Sequence, residues 1–411
     1  MFGKIVKNTF WLSTSQIIAR GLGFFYFIFL ARFLGVADFG IYSFTIAFVY
    51  NFIPVADFGI ERLVLRDISR EPEKTTYFLK RLLPLRMILA AIAYFLLVIL
   101  ALVFGQTGKQ ILYLAIFGLA LFPYSFSFLL ISFLNSREEM KFLAASNIFL
   151  ILFTGVTGAL LVILKFPLTI LFFVYPLANF LLAGWFWLNS KELNLPLGGV
   201  IDLVFWKKCL SQSWAFATIL ILAVFYLRLS VVMLNLIKGS VATGLYNSAF
   251  KFVEATILIP QSLTLALFPL SSKLIISDKA KLKKIYLKAL LILVLLSVPL
   301  MFVFLFAPQL LVKTTYGSNY LGAVPVFMIL GLSFVFFFPN ALAGNIIQNS
   351  DKFKRFLPWA VANFLVALIL CLILIPRYSI VGAAWAVVGG EIFGLIINNW
   401  FVFRILKGKN D

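Results

Sequence analysis

"LGVADFGIYSF", residues 34–44, closes one long apolar stretch and opens the next, and a related junction, "KGSVATGLYNSAF", occupies residues 238–250. Gly40, Ile41 and Tyr42 align with Gly244, Leu245 and Tyr246 at an offset of 204. A second pair follows the same logic: "NSREEMKF" from Asn135 resembles "NSDKFKRF" from Asn349 at an offset of 214, with Pro123 and Pro339 in the apolar stretches that precede them. Matches that include polar and turn residues, in the same order, mark an internal duplication.

What is duplicated is membranous. Of 411 residues, 63% are hydrophobic and 12% charged, against about one quarter charged in soluble domains. A helix crossing a ~30 Å hydrocarbon core needs about 20 mostly apolar residues. Twelve stretches qualify: 9–34, 40–60, 82–104, 111–134, 142–164, 167–188, 210–236, 241–270, 286–311, 321–347, 356–375 and 379–403. The first is too long for a cleaved signal sequence, carries Arg20 and lacks a small-x-small cleavage site. Six spans per copy is an even number, so the copies enter the membrane in the same sense and form a parallel repeat. The expected fold is an all-α membrane protein of 12 transmembrane helices in two pseudo-symmetric six-helix bundles (parallel repeat) with a central cavity. The expected boundaries are 1–188 for the first bundle, 189–208 for a cytoplasmic linker with Pro196, Gly198 and Gly199, and 209–411 for the second bundle.

The net charge is +20, but its distribution argues for topology rather than nucleic acid. With the amino terminus in the cytoplasm, inner segments hold 26 Lys and Arg, among them Arg62, Arg66, Arg70, Lys74, Lys80, Arg81 and Arg86. Outer segments hold six: Arg32, Lys109, Lys165, Lys238, Lys313 and Arg377. This bias places the chain in a cell (inner or plasma) membrane with both termini cytoplasmic. Cys209 and Cys371 fall near opposite faces and do not pair.

Several residues resemble a known family. Leu30-Ala31-Arg32-Phe33-Leu34-Gly35 with Phe39-Gly40-Ile41-Tyr42, then Asp57-Phe58-Gly59-Ile60 and Arg66, resemble the opening of Wzx-type polysaccharide-unit flippases of the multidrug/oligosaccharidyl-lipid/polysaccharide superfamily. Pro376-Arg377-Tyr378-Ser379-Ile380-Val381-Gly382-Ala383-Ala384 is similar to the turn before their last helix. The resemblance implies a V-shaped pair of bundles that moves a polyprenyl-pyrophosphate-linked oligosaccharide from the inner to the outer leaflet, working with membrane lipids and polysaccharide assembly proteins. Many relatives carry Arg-x-Asp in helix 7, where this chain has Arg228-Leu229-Ser230, so the role of that Asp is not carried over.

Three cations, Arg20, Arg228 and Lys251, lie inside expected spans. Translocon scales set a central Arg or Lys at ~2.5–3.5 kcal/mol against insertion, so each needs a partner or water. Ser13, Gln16, Arg20 and Gly23 share one helix face, as do Asn247, Lys251, Glu254 and Gln261. Helix 2 offers Ser43, Tyr50 and Asp57 at intervals of seven, helix 7 adds Asn235 to Arg228, and helix 12 carries Glu391. Lys251 and Glu254, at i and i+3, can neutralise each other, and Arg228 can snorkel to the outer interface. Arg20 lies about ten residues from either surface, too deep to snorkel easily, and its position resembles the helix 1 arginines of lipid-linked peptidoglycan-precursor flippases. Asp57 is expected near the inner face, solvated. Glu391 reads either as a counter-ion for Arg20 or Arg228 or as a coupling site for Na+ or H+.

The expected substrate-binding set is Arg20, Gln16, Arg228, Lys251, Asn247 and Glu254, a net-basic group suited to a pyrophosphate: Arg offers a planar fork to phosphate oxygens and Lys a point charge. Glu391 and Asp57 are the candidate coupling or counter-ion residues. No cofactor or metal is expected. The chain contains no histidine, its outer loops are short, and it has no G-x-x-x-x-G-K-[ST] stretch, so neither an outer-face enzyme nor a nucleotide-driven pump is expected. The rival readings are a cation-coupled multidrug exporter, which calls for an acidic cavity, and a non-transporting scaffold, which tolerates loss of all three buried cations.

Overall fold

The computed structural model describes residues 2–195, 197–350 and 353–407, so Pro196 of the expected linker lies outside the described residues, as do the side chains of Ser13 and Arg70. The described residues contain helices and no strand. Nine helical stretches are long and apolar enough to cross a membrane. Three of these are broken by a residue outside helical geometry: Gly35 (φ 76°), Gly239 (φ 81°) and Ser379 (φ 52°). Taking each side of a break as its own span gives twelve. They are α1 (2–34), α2 (36–57), α3 (Thr75–Val103), α4 (108–136), α5 (Lys141–Ile163), α6 (Leu168–Leu188), α7 (203–238), α8 (240–277), α9 (Lys279–Phe306), α10 (Val324–Gln348), α11 (353–378) and α12 (380–407).

The chain divides into two compact units. One holds the residues up to Phe33 together with Phe44–Phe225, the other Leu34–Ser43 together with the residues from Tyr226 onward. Leu34–Ser43 joins the second unit because α2 and α8 meet there backbone to backbone. A methyl group on Gly40 would run into the Ser240 carbonyl, and one on Gly244 into the Val36 carbonyl. Asn247 adds a hydrogen bond to the Ser43 hydroxyl at 2.7 Å. Each of these pairs joins residues near an offset of 204, as do the breaks at Gly35 and Gly239. In a membrane, where apolar side chains gain little by leaving lipid, such small-residue crossings and interhelical hydrogen bonds hold helices together. The positive φ at Gly35 and Gly239 is accessible to glycine at no steric cost.

In the first unit, α2 ends in the turn Asp57-Phe58-Gly59, with Phe58 and Gly59 both left-handed (φ 49° and 73°). A short amphipathic helix, Ile60–Arg70, follows, which the sequence reading did not anticipate. It buries Ile60, Leu63, Val64 and Ile68 against Leu79 and Leu82 of α3 and Leu129, Leu130 and Phe133 of α4, leaving Glu61, Arg62 and Arg66 exposed. Glycine at 59 also admits close approach, since a Cβ there would lie 3.0 Å from the Ser213 carbonyl oxygen and 3.1 Å from the Ala217 nitrogen of α7.

The connection from α6 to α7 is strapped to α3. Val200 N–H donates to the Lys80 carbonyl (2.9 Å), Arg81 pairs with Asp202 (2.9 Å), and the Trp206 indole donates to the Arg81 carbonyl (2.8 Å). The Arg137 guanidinium donates to the carbonyls of Leu193 and Asn194. Asp202 also accepts from the Phe205 amide, so it caps the start of α7. That amide and the Arg81 guanidinium hold the Asp202 carboxyl below its ordinary value. Both cysteines are buried and free.

Candidate functional site

Arg228 on α7 and Lys251 and Glu254 on α8 converge in the second unit. Glu254 receives the Arg228 guanidinium at 2.6 Å on one oxygen and the Lys251 ammonium at 2.5 Å on the other. Lys251 and Glu254 lie one turn apart, which places both side chains on the same face. The three side chains are 15%, 9% and 16% exposed, too enclosed for water to replace the pairing. Two cations sharing one carboxylate leave a formal charge of +1. The pairing of Lys251 with Glu254 agrees with their spacing, whereas Arg228 is held by Glu254 and does not reach for an interface.

The α8 helix is interrupted at Ile257, three residues beyond Glu254, where the Ile257 N–H bonds back three residues to the Glu254 carbonyl instead of four. One turn before Lys251, Asn247 is committed to Ser43. On α7, the buried Asn235 amide has no partner for its Nδ2.

Glu391 occupies a separate pocket in the same unit. Its carboxylate accepts from the Tyr226 hydroxyl of α7 (3.0 Å) and from the Asn340 amide of α10 (2.7 Å), and Asn398 in turn donates to Asn340 (3.2 Å). Small residues make the room: a Cβ at Gly390 would approach the Tyr226 hydroxyl at 2.9 Å, and one at Gly394 would approach Asn340 and Asn363 at 3.2 and 3.4 Å. The Asn363 carbonyl oxygen is unpartnered. Of the alternatives expected for Glu391, the one as counter-ion of Arg228 is corrected, since the acid on Arg228 is Glu254. Sequence reasoning missed Tyr226 and Asn340, although the run Gly389-Gly390 beside a buried acid was a signal of space for partners. Among the described residues there is no cluster of three or more His, Cys, Asp or Glu. One carboxylate with amide and phenol neighbours suits a proton or a monovalent cation better than a divalent one.

The remaining candidates lie in the first unit. Arg20 is exposed and Gln16 half-buried, on the same face of α1. Asp57 is not solvated: it is 6% exposed, receives Arg86 of α3, and accepts the Gly59 and Glu61 amides at 3.0 and 3.3 Å. Asp57 therefore caps the helix Ile60–Arg70 and fixes the left-handed turn, which explains the Asp57-Phe58-Gly59 motif structurally. Arg86, counted above among the inner-face cations, is 3% exposed. The interval-of-seven stripe Ser43, Tyr50, Asp57 does not survive as a face, because α2 breaks after Tyr50.

Comparison with known proteins follows these features. The model of the family described as polysaccharide biosynthesis protein matches residues 5–275, and the MatE model matches residues 215–373. An uncharacterized membrane protein of Methanocaldococcus jannaschii is 28% identical over 148 residues, an alignment spanning 34% of this chain and 28% of that relative's length. Among solved structures, the lipid II flippase MurJ in its inward closed conformation superposes with a TM-score of 0.74 at 15% identity, covering 96% of this chain and 88% of that one. An inward-facing multidrug resistance MATE transporter of the MOP superfamily gives 0.72 at 14%, covering 95% and 96%. A MOP superfamily transporter from Pyrococcus furiosus, described by the reverse polarity of its binding pocket, gives 0.66 at 17%, covering 98% and 97%. At these identities the likeness is one of fold.

Proposed function

Because the chain belongs to the polysaccharide biosynthesis protein family, and has the fold of MOP superfamily transporters, we propose that it is a flippase for a polyprenyl-pyrophosphate-linked oligosaccharide, carried from the cytoplasmic to the outer leaflet by alternating access. The observation that supports this most directly is the triad of Arg228, Glu254 and Lys251. A pyrophosphate is a polyanion that loses strong hydration on leaving water, and a preformed pair of cations in apolar surroundings offsets that loss. Glu254 keeps the two cations paired when no substrate is present, and a diphosphate carries enough charge to take them over. Arg20, exposed in the first unit, is the third cation of the expected set, with Gln16 on the same helix face.

Glu391 is the coupling residue in this reading. A carboxylate held by neutral donors has no fixed cation to compensate it, so its charge state follows the proton or Na+ supply. A drug exporter for cationic compounds would place acid where this chain has two cations on one carboxylate.

The test uses purified protein in detergent and two probes, a polyprenyl diphosphate and a cationic dye. Wild type is expected to bind the diphosphate, with Arg228→Ala and Lys251→Ala each weakening it by tenfold or more, about 1.4 kcal/mol. Tight dye binding with no diphosphate binding would reverse the assignment. Arg20→Ala and Arg20→Lys assayed for export in cells test the third cation, and full activity in both removes it from the set.

A further inference from the structure

The first unit contains a cluster of tyrosine and asparagine side chains near the position where the second unit carries the triad. Glu254 corresponds to Tyr50 at the offset of 204, and each helix is interrupted within three residues of it, α8 at Ile257 and α2 at Asn51 and Phe52. There Asn51 and Phe52 bond back three residues, to the carbonyls of Phe48 and Val49. A second interruption meets it: α4 breaks after Gly118, with Ala120 bonded to the Phe117 carbonyl, and the Phe117 ring lies 6.2 Å from Tyr50. Irregular backbone within a membrane survives where it is buried in protein or lines a polar cavity, and interrupted helices are where transporters of other folds place their ligands.

The side chains at this junction are aromatic and polar. Tyr175 of α6 stacks on Phe117 at 5.0 Å and lies 5.8 Å from Tyr50. Tyr124 of α4 is within electrostatic range of both tyrosines. All three tyrosines are half-buried rather than sealed. Around them stand unpartnered acceptors: the carbonyl oxygens of Asn51 and Asn179 are buried without a hydrogen bond, although the residues are 5% and 0% exposed. Asn179 uses its Nδ2 on the Tyr175 carbonyl and leaves its oxygen open. A buried polar atom without a partner has lost its hydration with nothing in exchange, so such atoms in a native bundle call for a ligand or water.

We propose that Tyr50, Tyr124, Tyr175, Asn51 and Asn179 form a subsite in the first unit for a neutral polyhydroxylated group, a sugar residue of the transported lipid. The proposal rests on the flippase reading and supplies what that reading lacks, the recognition of the sugar rather than of the diphosphate. Sugar hydroxyls donate to the open amide oxygens, and the apolar face of a pyranose ring packs on a tyrosine ring while the phenol hydroxyls take its edge. No cation is required, which separates this site from the triad.

The experiment compares two probes on the purified full chain: a polyprenyl diphosphate without sugar, and the lipid-linked oligosaccharide pool extracted from the cells of origin. Tyr124→Ala and Asn179→Leu are expected to weaken the sugar-bearing pool about tenfold while leaving the bare diphosphate within about twofold. Tyr175→Phe, which keeps the stack on Phe117, guards against a folding defect and is expected to show the same selective loss at smaller size. If wild type binds neither probe, the flippase reading falls and the subsite with it. If wild type binds both and the variants affect the two probes equally, or neither, the flippase reading stands and the subsite is overturned, the open amides then being served by water.

Discussion

Gly40 and Gly244, equivalent residues of the two halves, each sit against the other helix's backbone: Gly40 against the Ser240 carbonyl and Gly244 against the Val36 carbonyl. The contact is reciprocal, so α2 and α8 cross about a local twofold through the junctions that first disclosed the repeat. Overpacking a tight site costs typically about 1–3 kcal/mol, and here the obstacle is backbone, which yields less than a side chain. Gly40→Val and Gly244→Val are each expected to lower the thermal midpoint in detergent by several degrees and to reduce folded yield. Ser43→Ala, which removes only the hydrogen bond to Asn247, is expected to cost about 1 kcal/mol. Wild-type melting of both glycine variants would show that the crossing is loose.

The Asp57–Arg86 pair is enclosed, at 6% and 3% exposure, and removing one partner strands a buried charge. Such one-sided losses cost about 3–5 kcal/mol, while replacing both partners with apolar groups is often near neutral. Asp57→Leu and Arg86→Met are therefore expected to be severe singly and milder together. Asp57 also caps Ile60–Arg70, so the double variant should still show faster hydrogen exchange in that helix. A double variant as unstable as the sum of the singles would mean that the two residues act independently.

Asp202 offers a pH test outside the membrane spans. Its carboxyl is held below the ordinary 3.8 by the Phe205 amide and the Arg81 guanidinium. A depressed acid stabilises the fold fully above its unfolded value and loses that contribution as pH falls through the lower folded value. Asp202→Asn is thus expected to loosen the strap at 197–202 relative to wild type at pH 7, read as faster hydrogen exchange corrected for the intrinsic rate. The difference should narrow below about pH 3.8. A pH-independent difference would place the effect elsewhere.

Glu391→Gln keeps the shape of the side chain and an oxygen for Tyr226 or Asn340, and removes the negative charge. If Glu391 couples transport to a proton or Na+ gradient, this variant is expected to bind polyprenyl diphosphate like wild type in detergent and to lose the gradient dependence of uptake in proteoliposomes. Tyr226→Phe, which removes one donor, is expected to shift that dependence and not abolish it. Unchanged gradient response in Glu391→Gln would return Glu391 to a structural role.

Span number, the repeat and the basic ends were legible because each is written in composition over twenty or more residues. The junction glycines were legible as landmarks, though nothing in a linear pattern says that Gly40 touches the other copy. Partner choice was not legible. Glu254 read as the partner of Lys251, and Glu391 as a counter-ion for Arg20 or Arg228 or as a coupling site; only the rotation of α7 against α8 and α12 gives Arg228 to Glu254 and Tyr226 to Glu391. Arg86 read as one more topology cation because its partner, Asp57, lies 29 residues away on another helix. The break in α2 was written in Pro54, which has no N–H for the Tyr50 carbonyl four residues back, but the clustering of Tyr50 and Asn51 with Tyr175 and Asn179 depends on α6, more than 120 residues away, and no linear pattern shows it.

Glu254 gives the sharpest test of the proposed site, since its two roles pull in opposite directions. It holds Arg228 and Lys251 together, so Glu254→Gln leaves two neighbouring cations with less compensation and is expected to lower the thermal midpoint of the empty protein. The same carboxylate competes with an incoming diphosphate, so its loss is expected to tighten polyprenyl diphosphate binding, by about tenfold if the competition is worth about 1.4 kcal/mol. Tighter binding of the ground state without a matching gain in release slows turnover, and transport should fall. A saturating diphosphate probe should also restore part of the lost thermal stability, because a ligand that binds only the folded state raises its midpoint. Destabilisation with weaker diphosphate binding would make Glu254 a structural counter-ion alone and would remove the triad as the pyrophosphate site.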